Sequence, residues 1–229
     1  MEPKYYLYCL ADFTLITTSL IYGIKLLKKR NFLLGFEWLV VTFSATNLLT
    51  NALTGEQVFL SISLFCDAFS RTAGVPVIGI AGMMAVTHRY KPSMGADVMY
   101  VLGALAATVV VWTADFMVGP KPYFYLVMWS LFSVYVAYVI KKLLSAGEKR
   151  IAVGVTLALV AAQTIASIYD FYHIPGDDDH AVFYTIAMLV WAYQSVVFYY
   201  AYCALERAQT QEWSLNRGYA LGGLERTSQ

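Results

Sequence analysis

Seven apolar runs, each long enough to cross a lipid bilayer, follow one another along the chain. A transmembrane helix needs about 20 mainly apolar residues, because the hydrocarbon core is about 30 Å thick and a helix rises about 1.5 Å per residue. Polar or turn-forming segments such as KKRN, HRYKPS and SAGEKR separate the runs. We therefore predict an all-α, polytopic membrane protein with seven transmembrane helices. The predicted spans are 6–27, 32–53, 58–86, 98–117, 123–144, 151–174 and 181–205.

The composition agrees with this fold class. Hydrophobic residues make up 59% of the 229 positions and charged residues 14%, whereas a soluble domain carries roughly 25% charged residues. The formal net charge is +1, so nothing in the overall charge favours a nucleic-acid partner. The expected surroundings are membrane lipids. No sequence motif points to a cofactor, and we expect none.

The distribution of lysine and arginine predicts the orientation in the membrane. With seven spans, the connections after spans 1, 3 and 5 and the C-terminal segment fall on one side, and these are the basic ones. We expect the N-terminus outside, the C-terminus in the cytoplasm, a multi-pass location in the plasma membrane, and a flexible polar tail at 206–229 after a transmembrane domain at 1–205. The basic residues are Lys25, Lys28, Lys29, Arg30, Arg89, Lys91, Lys141, Lys142, Lys149, Arg150, Arg207 and Arg217.

The third span carries the most informative residues. Its 29 residues would extend roughly 43 Å as a straight helix, more than the hydrocarbon core, and Pro76 has no N–H to offer the Thr72 carbonyl, which predicts a break. Asp67 and Arg71 are spaced for an ion pair within one helix. Because a charge at the bilayer centre costs on the order of 2.5–3.5 kcal/mol, both groups should face the bundle interior. The pair either marks a functional site or only holds helices together.

Further polar residues lie at comparable or shallower depth. Amide groups would bond to a substrate's hydroxyls, Trp191 would provide a stacking wall, and an excess of acids would favour a cation, an amine or a polyhydroxylated molecule. Glu37, near the end of span 2, is expected to reach water. The predicted substrate-binding residues are Asn47, Asn51, Asp67, Arg71, Trp191, Gln194 and Ser195. Additional polar candidates are Asp12, Asp115 and Asp170, of which the last two lie near helix ends and have solvation as an equal alternative.

Two other features have simple structural interpretations. The turn HIPGDDDH holds His173, Asp177 and His180, which are metal-ligand types, but their spacing matches no established site. Capping of span 7 by Asp179 and solvation are the favoured interpretation, so no metal is expected. Aromatic clusters at the ends of the spans are interpreted as anchors at the level of the lipid headgroups. These clusters include Tyr5, Tyr6, Tyr8, Tyr123, Phe124, Tyr125, Tyr169, Phe171 and Tyr172.

A weak internal repeat predicts two parallel three-helix units joined by span 4. YGIKLLKKRN at the end of span 1 is similar to YVIKKLLSAGEKR at the end of span 5, and VFLSISLFCDAFSR aligns with VFYTIAMLVWAYQS in span 7. This layout resembles the three-plus-one-plus-three transporters, such as the SWEET sugar carriers and the PnuC vitamin carriers, although no Pro-Gln dipeptide occurs. The resemblance implies passage of a small polar molecule through a central site as the two units rock.

Other functions are weighed against transport. A retinal protein is excluded because every lysine lies at or beyond a span end. The layout also resembles small seven-helix terpene cyclases and lipid-modifying membrane enzymes, in which Asp67 would act as an acid on a lipid or isoprenoid; pairing with Arg71 works against that role. A sensor or an accessory subunit is the third hypothesis. Small-residue pairs at Ala81/Ala85 and Gly103/Ala107 permit close helix contacts, including those of a homo-oligomer.

Overall fold

The computed structural model describes the backbone of residues 3–90 and 92–226 and the side chains through residue 211. Within these residues the fold is all-helical, without strands, and seven helices are long and apolar enough to span a membrane. The predicted all-α class with seven helices suited to a multi-pass membrane protein is confirmed. The elements are α1 (Pro3–Lys28), α2 (Phe32–Thr54), α3 (Gln57–Phe69), a π-helix here named π1 (Ser70–Gly79), α4 (Ile80–Thr87), α5 (Met94–Thr113), a 3₁₀ turn (Asp115–Met117), α6 (Lys121–Ser145), α7 (Lys149–Ile168) and α8 (Ala181–Arg226).

The third span is one continuous helix that changes its winding. It runs through α3, π1 and α4 from Gln57 to Thr87, 31 residues in all. The break predicted at Pro76 is absent, and the ten residues of π1 are wound as a π-helix instead. In a π-helix each N–H bonds to the carbonyl five residues back, which widens the turn and accommodates the proline ring without a loop. So long a π segment is unusual, because π-helices occur mostly as single turns and often at functional sites.

Six of the spans contact one another in a closed sequence of neighbours. Helix α1 packs against α2 and α8, helix α7 packs against α6 and α8, and the third span packs against α2 and α6. Helix α5 packs mainly against π1 and is otherwise among the least covered spans. The third span therefore has neighbours on several sides, and 72% of its apolar window is buried. This position explains how it can hold charged side chains.

The turn between α1 and α2 is fastened to the third span. Asn31 caps α2 by accepting a hydrogen bond from the Leu34 N–H (3.1 Å), and its own amide donates to the Gly82 carbonyl (2.8 Å). The helices approach so closely here that a Cβ on Gly82 would lie 2.8 Å from the Leu34 Cβ. A residue with no side chain is therefore required at position 82.

Helix α8 extends past the predicted end of the last span. The boundary predicted at residue 205 falls inside one helix, which continues to Arg226. Glu206 forms an ion pair with Lys29 (2.5 Å) and raises the pKa of the Lys29 amine, and Arg207 contacts Glu148 (3.0 Å). Among the basic residues used for orientation, Lys91 lies outside the described residues and Arg217 beyond the described side chains.

Because the number of spans is odd, the bundle has an N-terminal end, where α1 begins, and a C-terminal end, where α8 leaves. The third span starts at the N-terminal end. Asp67 lies ten residues beyond Gln57, about 15 Å along the helix at 1.5 Å per residue. The Asp67–Arg71 pair is thus within the membrane-spanning part of the helix.

Candidate functional site

A cavity of about 120 Å³ lies between the third span and α8, with further walls from α1, α2 and α6. Most of its lining is apolar or aromatic. This volume is below the roughly 300–1,000 Å³ of common ligand pockets and close to the ~150 Å³ of a protein cavity that admits benzene. Five of the seven predicted substrate-binding residues line it: Asp67, Arg71, Trp191, Gln194 and Ser195.

Arg71 is bound by four side chains at the wall of this cavity. Its Nη1 lies 3.5 Å from an Asp67 carboxylate oxygen, which gives the predicted pair within one helix. Asp170 holds the guanidinium with both oxygens: one contact is Nη1 to Oδ1 at 3.4 Å, and the other joins Nη2 to Oδ2. The rings of Tyr125 and Tyr169 have centroids 4.0 and 4.1 Å from the guanidinium carbon. The guanidinium is therefore held by two carboxylates and two aromatic rings.

Two of these partners differ from the sequence-based interpretation. Tyr125 and Tyr169 were expected to anchor helices at the headgroup level, yet Tyr125 is 6% exposed and both rings contact Arg71. Tyr169 also donates a long hydrogen bond, 3.4 Å, to the Asp67 carboxylate. Tyr125 reaches the cation because α6 packs on π1, and Tyr169 reaches it from the residue that follows α7. The sequence spacing contains no signal for that contact.

Asp170 belongs to the group of charged residues formed by Asp67, Arg71 and Asp170, here called the Arg71 cluster. It lies two residues after the end of α7 at Ile168, at the N-terminal end of the bundle, and its side chain is 23% exposed. Asp67, Arg71 and Asp170 together carry a formal charge of −1. Asp67 and Arg71 line the cavity, and Asp170 contacts Arg71 from outside the lining.

The two predicted asparagines do not line the cavity. The Asn47 amide donates to the Phe43 carbonyl one turn earlier (2.8 Å), and the Asn51 amide donates to the Glu56 carbonyl (3.0 Å). Asparagine readily bonds to nearby backbone groups in this way. These side chains satisfy the backbone of α2 and of the turn that follows it.

Glu37 is the buried acid that the sequence interpretation placed wrongly. The expectation that it reaches water is incorrect: the residue is 0% exposed, and neither carboxylate oxygen has a hydrogen-bond partner among the described residues. Its carboxylate lies against Gly74 of π1, where a Cβ would be 2.6 Å from Oε1. The Ser70 hydroxyl lies near the Glu37 carboxylate but forms no hydrogen bond of ordinary geometry with it. Glu37 points inward because it shares its face of α2 with buried Leu33 and Leu34, four and three residues earlier.

The remaining candidate acids, Asp12 and Asp115, differ in burial. Asp12 in α1 is 0% exposed, and its oxygens have no hydrogen-bond partner among the described residues. It does not line the cavity, although Leu15, one turn further along α1, does. Asp115 is exposed in the 3₁₀ turn that follows α5, which agrees with solvation.

The acidic turn before α8 is a helix cap. Asp177 is 2% exposed and accepts hydrogen bonds from the N–H groups of Val182 (2.9 Å) and Phe183 (2.8 Å). The rings of His173 and His180 contact each other edge to face, with centroids 4.2 Å apart. Within the described residues, no group of three or more histidine, cysteine, aspartate or glutamate side chains has an arrangement that would hold a metal ion. Asp177, rather than the predicted Asp179, provides the main capping contacts.

Asp179 instead connects the turn to the start of α1. Its carboxylate accepts a hydrogen bond from the Tyr5 hydroxyl (2.5 Å) and pairs with the Lys4 amine (3.0 Å). These two contacts hold the pKa of the Asp179 carboxyl well below its usual range. The contact links the beginning of the chain to the beginning of α8 at the N-terminal end.

Sequence reasoning missed three aromatic members of the cavity wall. Trp38 and Trp129 are each 5% exposed, and Tyr184 is half-buried; all three line the cavity. In the sequence they lie within apolar runs, where an inward and a lipid-facing aromatic residue look the same. Together with Trp191 and Tyr169 they give the wall five aromatic residues among the twenty that line it. The cavity therefore combines aliphatic and aromatic walls, the charged pair Asp67 and Arg71, and a few hydrogen-bonding groups, a combination suited to holding a small molecule.

No protein-family model, no curated protein and no solved structure matches this chain.

Proposed function

We propose that the protein transports a small polar or cationic molecule through the cavity between the third span and α8. The observation that carries this proposal is the cavity itself, because Asp67, Arg71, Trp191, Gln194 and Ser195 converge on it from two helices. Ionisable residues inside a membrane are costly and commonly mark the path of a substrate or ion. A volume of about 120 Å³ fits a molecule with few non-hydrogen atoms.

The internal repeat gains support from the register of the two helices at the cavity. The sequence alignment pairs Val58 with Val182. This offset brings five lining positions of the third span onto lining positions of α8. The pairs are Leu60 with Tyr184, Leu64 with Met188, Asp67 with Trp191, and Ser70-Arg71 with Gln194-Ser195. Every member of these pairs lines the cavity. Two parallel units that face each other across a shared site would produce this correspondence.

Helix packing is consistent with the same two units. If spans 1 to 3 correspond to spans 5 to 7, the contact of α1 with α8 corresponds to the contact of α6 with the third span, and both contacts exist. Likewise the packing of α1 on α2 corresponds to that of α6 on α7. In this proposal α5 joins the units from outside, and rocking of one unit against the other opens the cavity to alternate sides.

The π-helix supplies a place where the third span can bend. Its ten residues include Pro76 and two glycines, Gly74 and Gly79, and hinge positions are commonly small residues or helix irregularities. Arg71 and Ser70, both in π1, line the cavity. A change in the winding of π1 would therefore alter the cavity and the Arg71 contacts at the same time.

The orientation completes the proposal. Lys28, Lys29, Arg30, Lys142 and Arg150 lie at or next to helix ends at the C-terminal end of the bundle, and we place this end in the cytoplasm on the basis of the positive-inside rule. The N-terminus is then outside, and the membrane is the plasma membrane. The Arg71 cluster would lie on the outer side of the cavity.

A flux measurement tests the proposal. The full-length protein is reconstituted in liposomes, and the uptake of radiolabelled choline, ethanolamine and glycerol is compared with that of empty liposomes. We expect faster uptake of at least one solute, and Asp67→Asn should lower it about tenfold, the factor that corresponds to 1.4 kcal/mol. Asp115→Asn is the matched control, because Asp115 is exposed and outside the cavity. Uptake no faster than in empty liposomes for all three solutes would contradict transport, and unchanged flux in Asp67→Asn would remove that carboxylate from the mechanism.

One observation favours a second function, acid catalysis within the membrane. Glu37 is an unpartnered, fully buried carboxyl group beside Ser70, which lines the aromatic cavity. Asp67, the acid first considered for this role, is engaged by Arg71, so Glu37 would be the acid. The cavity is small for an isoprenoid or lipid tail, which is why transport is the main proposal.

The enzymatic function predicts a changed lipid profile in cells that contain the protein. Glu37→Gln should abolish the change while the protein remains folded, because the amide keeps the shape of the side chain but cannot donate the acidic proton. Binding of small solutes in the cavity would be retained. Identical lipid profiles with and without the protein would contradict catalysis.

A further inference from the structure

Four aromatic side chains surround the cavity and are not occupied by Arg71: Trp38 from α2, Trp129 from α6, and Tyr184 and Trp191 from α8. Neighbouring rings hold them in place. Trp38 packs edge to face on Phe198, with ring centroids 6.4 Å apart. The faces of aromatic rings are electron-rich, and several rings around one space attract a cation, most strongly when the cation is weakly hydrated.

The charges at the cavity favour the same kind of ligand. Arg71 does not present a free positive charge, because Asp67 and Asp170 both contact it and two tyrosine rings cover its guanidinium. With both carboxylates ionised the cluster keeps one formal negative charge, and Asp67 is the carboxylate at the cavity wall. A monovalent cation in the cavity would compensate for this charge.

A hydrogen-bond acceptor without a partner lies in the same wall. Gln194 is 3% exposed and lines the cavity, and its Oε1 atom accepts no hydrogen bond from any described residue. A buried carbonyl oxygen normally finds a donor, so an unsatisfied one calls for an explanation. The indole N–H groups of Trp38 and Trp129, which also line the cavity, have no partner of their own among the described residues and so do not supply this donor. A ligand hydroxyl would provide the missing donor.

Other cations fit this site less well. Divalent metal ions prefer several oxygen ligands, and the described residues hold no cluster of three or more acidic, histidine or cysteine side chains suited to a metal. Most of the lining is instead apolar or aromatic, which suits the methyl groups of an alkylated ammonium. The cavity of about 120 Å³ limits the ligand to a few non-hydrogen atoms.

We propose that the ligand of the cavity is a small alkylammonium cation that also carries a hydroxyl group, bound by the aromatic side chains, the negative charge of the Arg71 cluster and Gln194 Oε1. This inference rests on the proposed transport function, since it names the class of molecule transported. The ammonium group lies against the rings of Trp38, Trp129, Trp191 and Tyr184. The hydroxyl group donates to Gln194.

A binding measurement on the purified full-length protein in detergent tests this without any transport step. Choline is titrated against the intrinsic tryptophan fluorescence, and 3,3-dimethyl-1-butanol, its neutral isostere, is titrated in parallel. We expect choline to bind at least about tenfold more tightly than the isostere, as cation–π attraction in a desolvated site requires. Equal affinity for the two, or no binding of choline at millimolar concentration, would overturn the proposal.

Two variants separate the parts of the site. Trp191→Leu should weaken choline binding about tenfold, whereas Trp112→Leu, on lipid-facing α5 and 41% exposed, should leave it unchanged. Gln194→Met should weaken choline but not tetramethylammonium, which has no hydroxyl group. A loss of both ligands in Gln194→Met, with the protein still folded by circular dichroism, would overturn the assignment of the hydroxyl contact.

A failure of the proposed transport can be distinguished from a failure of the proposed ligand class. If choline binds selectively but does not cross liposome membranes, the ligand class stands and transport fails. If choline crosses but binds no better than its isostere, transport stands and the ligand class fails.

Discussion

Arg71 and Glu37 are both ionisable, both buried within the membrane-spanning bundle, and both in contact with π1, yet their surroundings differ. Arg71 has two carboxylates and two tyrosine rings as partners. Glu37 has no hydrogen-bond partner among the described residues and lies against a glycine. The first site was assembled from three separate parts of the chain. The second depends on a single small residue that leaves room for a side chain.

The difference teaches which contacts keep each group in place. Removing one partner of a buried ion pair leaves an uncompensated charge and is strongly destabilising. A buried polar group without partners has no such contact to lose, and its position depends on shape alone. We therefore expect the Arg71 cluster to respond to changes of charge and Glu37 to changes of volume.

The largest loss of stability is expected for Arg71→Met. This change leaves Asp67 and Asp170 facing each other without a cation, with side chains only 22% and 23% exposed. Breaking a buried pair in this way costs about 3–5 kcal/mol. The free energy of unfolding in mixed micelles, followed by circular dichroism, should fall by that amount.

The control is the triple variant Arg71→Met, Asp67→Asn and Asp170→Asn. Replacing all three charges removes the repulsion, so most of the lost stability should return. If the triple variant is as unstable as Arg71→Met alone, packing by the arginine stem, and not its charge, holds the cluster together. The contrast with Glu37 would then disappear.

A smaller loss of stability, caused by steric overlap rather than by charge, is expected for Gly74→Ala. The added Cβ would lie 2.6 Å from Glu37 Oε1, so the side chain or the helix must move, and overpacking of this kind costs about 1–3 kcal/mol. The same unfolding measurement applies. Gly103→Ala is the matched control, because a Cβ there has no atom within 4 Å and should not destabilise the protein.

Shortening Glu37 should reverse the effect of Gly74→Ala. In the double variant with Glu37→Ala the clash is removed, and a double-mutant cycle should show a favourable coupling between the two positions. Additive effects of the two changes would mean that the alanine methyl group disturbs the π-helix itself rather than Glu37.

The sequence revealed the parts of this architecture that depend on local pattern. Span lengths follow from apolar runs, and the Asp67–Arg71 contact follows from helical spacing, so both were predictable. Arg71 contacts Asp170, which lies 99 positions later in the chain, and the adjacent Tyr169. Nothing in the sequence spacing indicates these contacts. Glu37 was expected to reach water because it lies near the end of span 2, but the rotation of α2 turns its side chain toward π1. The π winding was missed since proline in a helix predicts a disturbance but not its form.

The smallest effect is expected at Asp179, a carboxylate with two partners but in contact with water. Tyr5 and Lys4 hold the pKa of this carboxyl below its usual range, so the folded state favours the ionised form. Its contribution to stability is complete above the unfolded pKa of about 3.9 and is lost as the pH falls through the lower folded pKa. Asp179→Asn should lower the thermal midpoint slightly at pH 7, and the difference from the wild-type protein should shrink only below about pH 4. A loss at pH 7 as large as that of Arg71→Met would show that having partners, and not burial, decides how much an ion pair stabilises this fold.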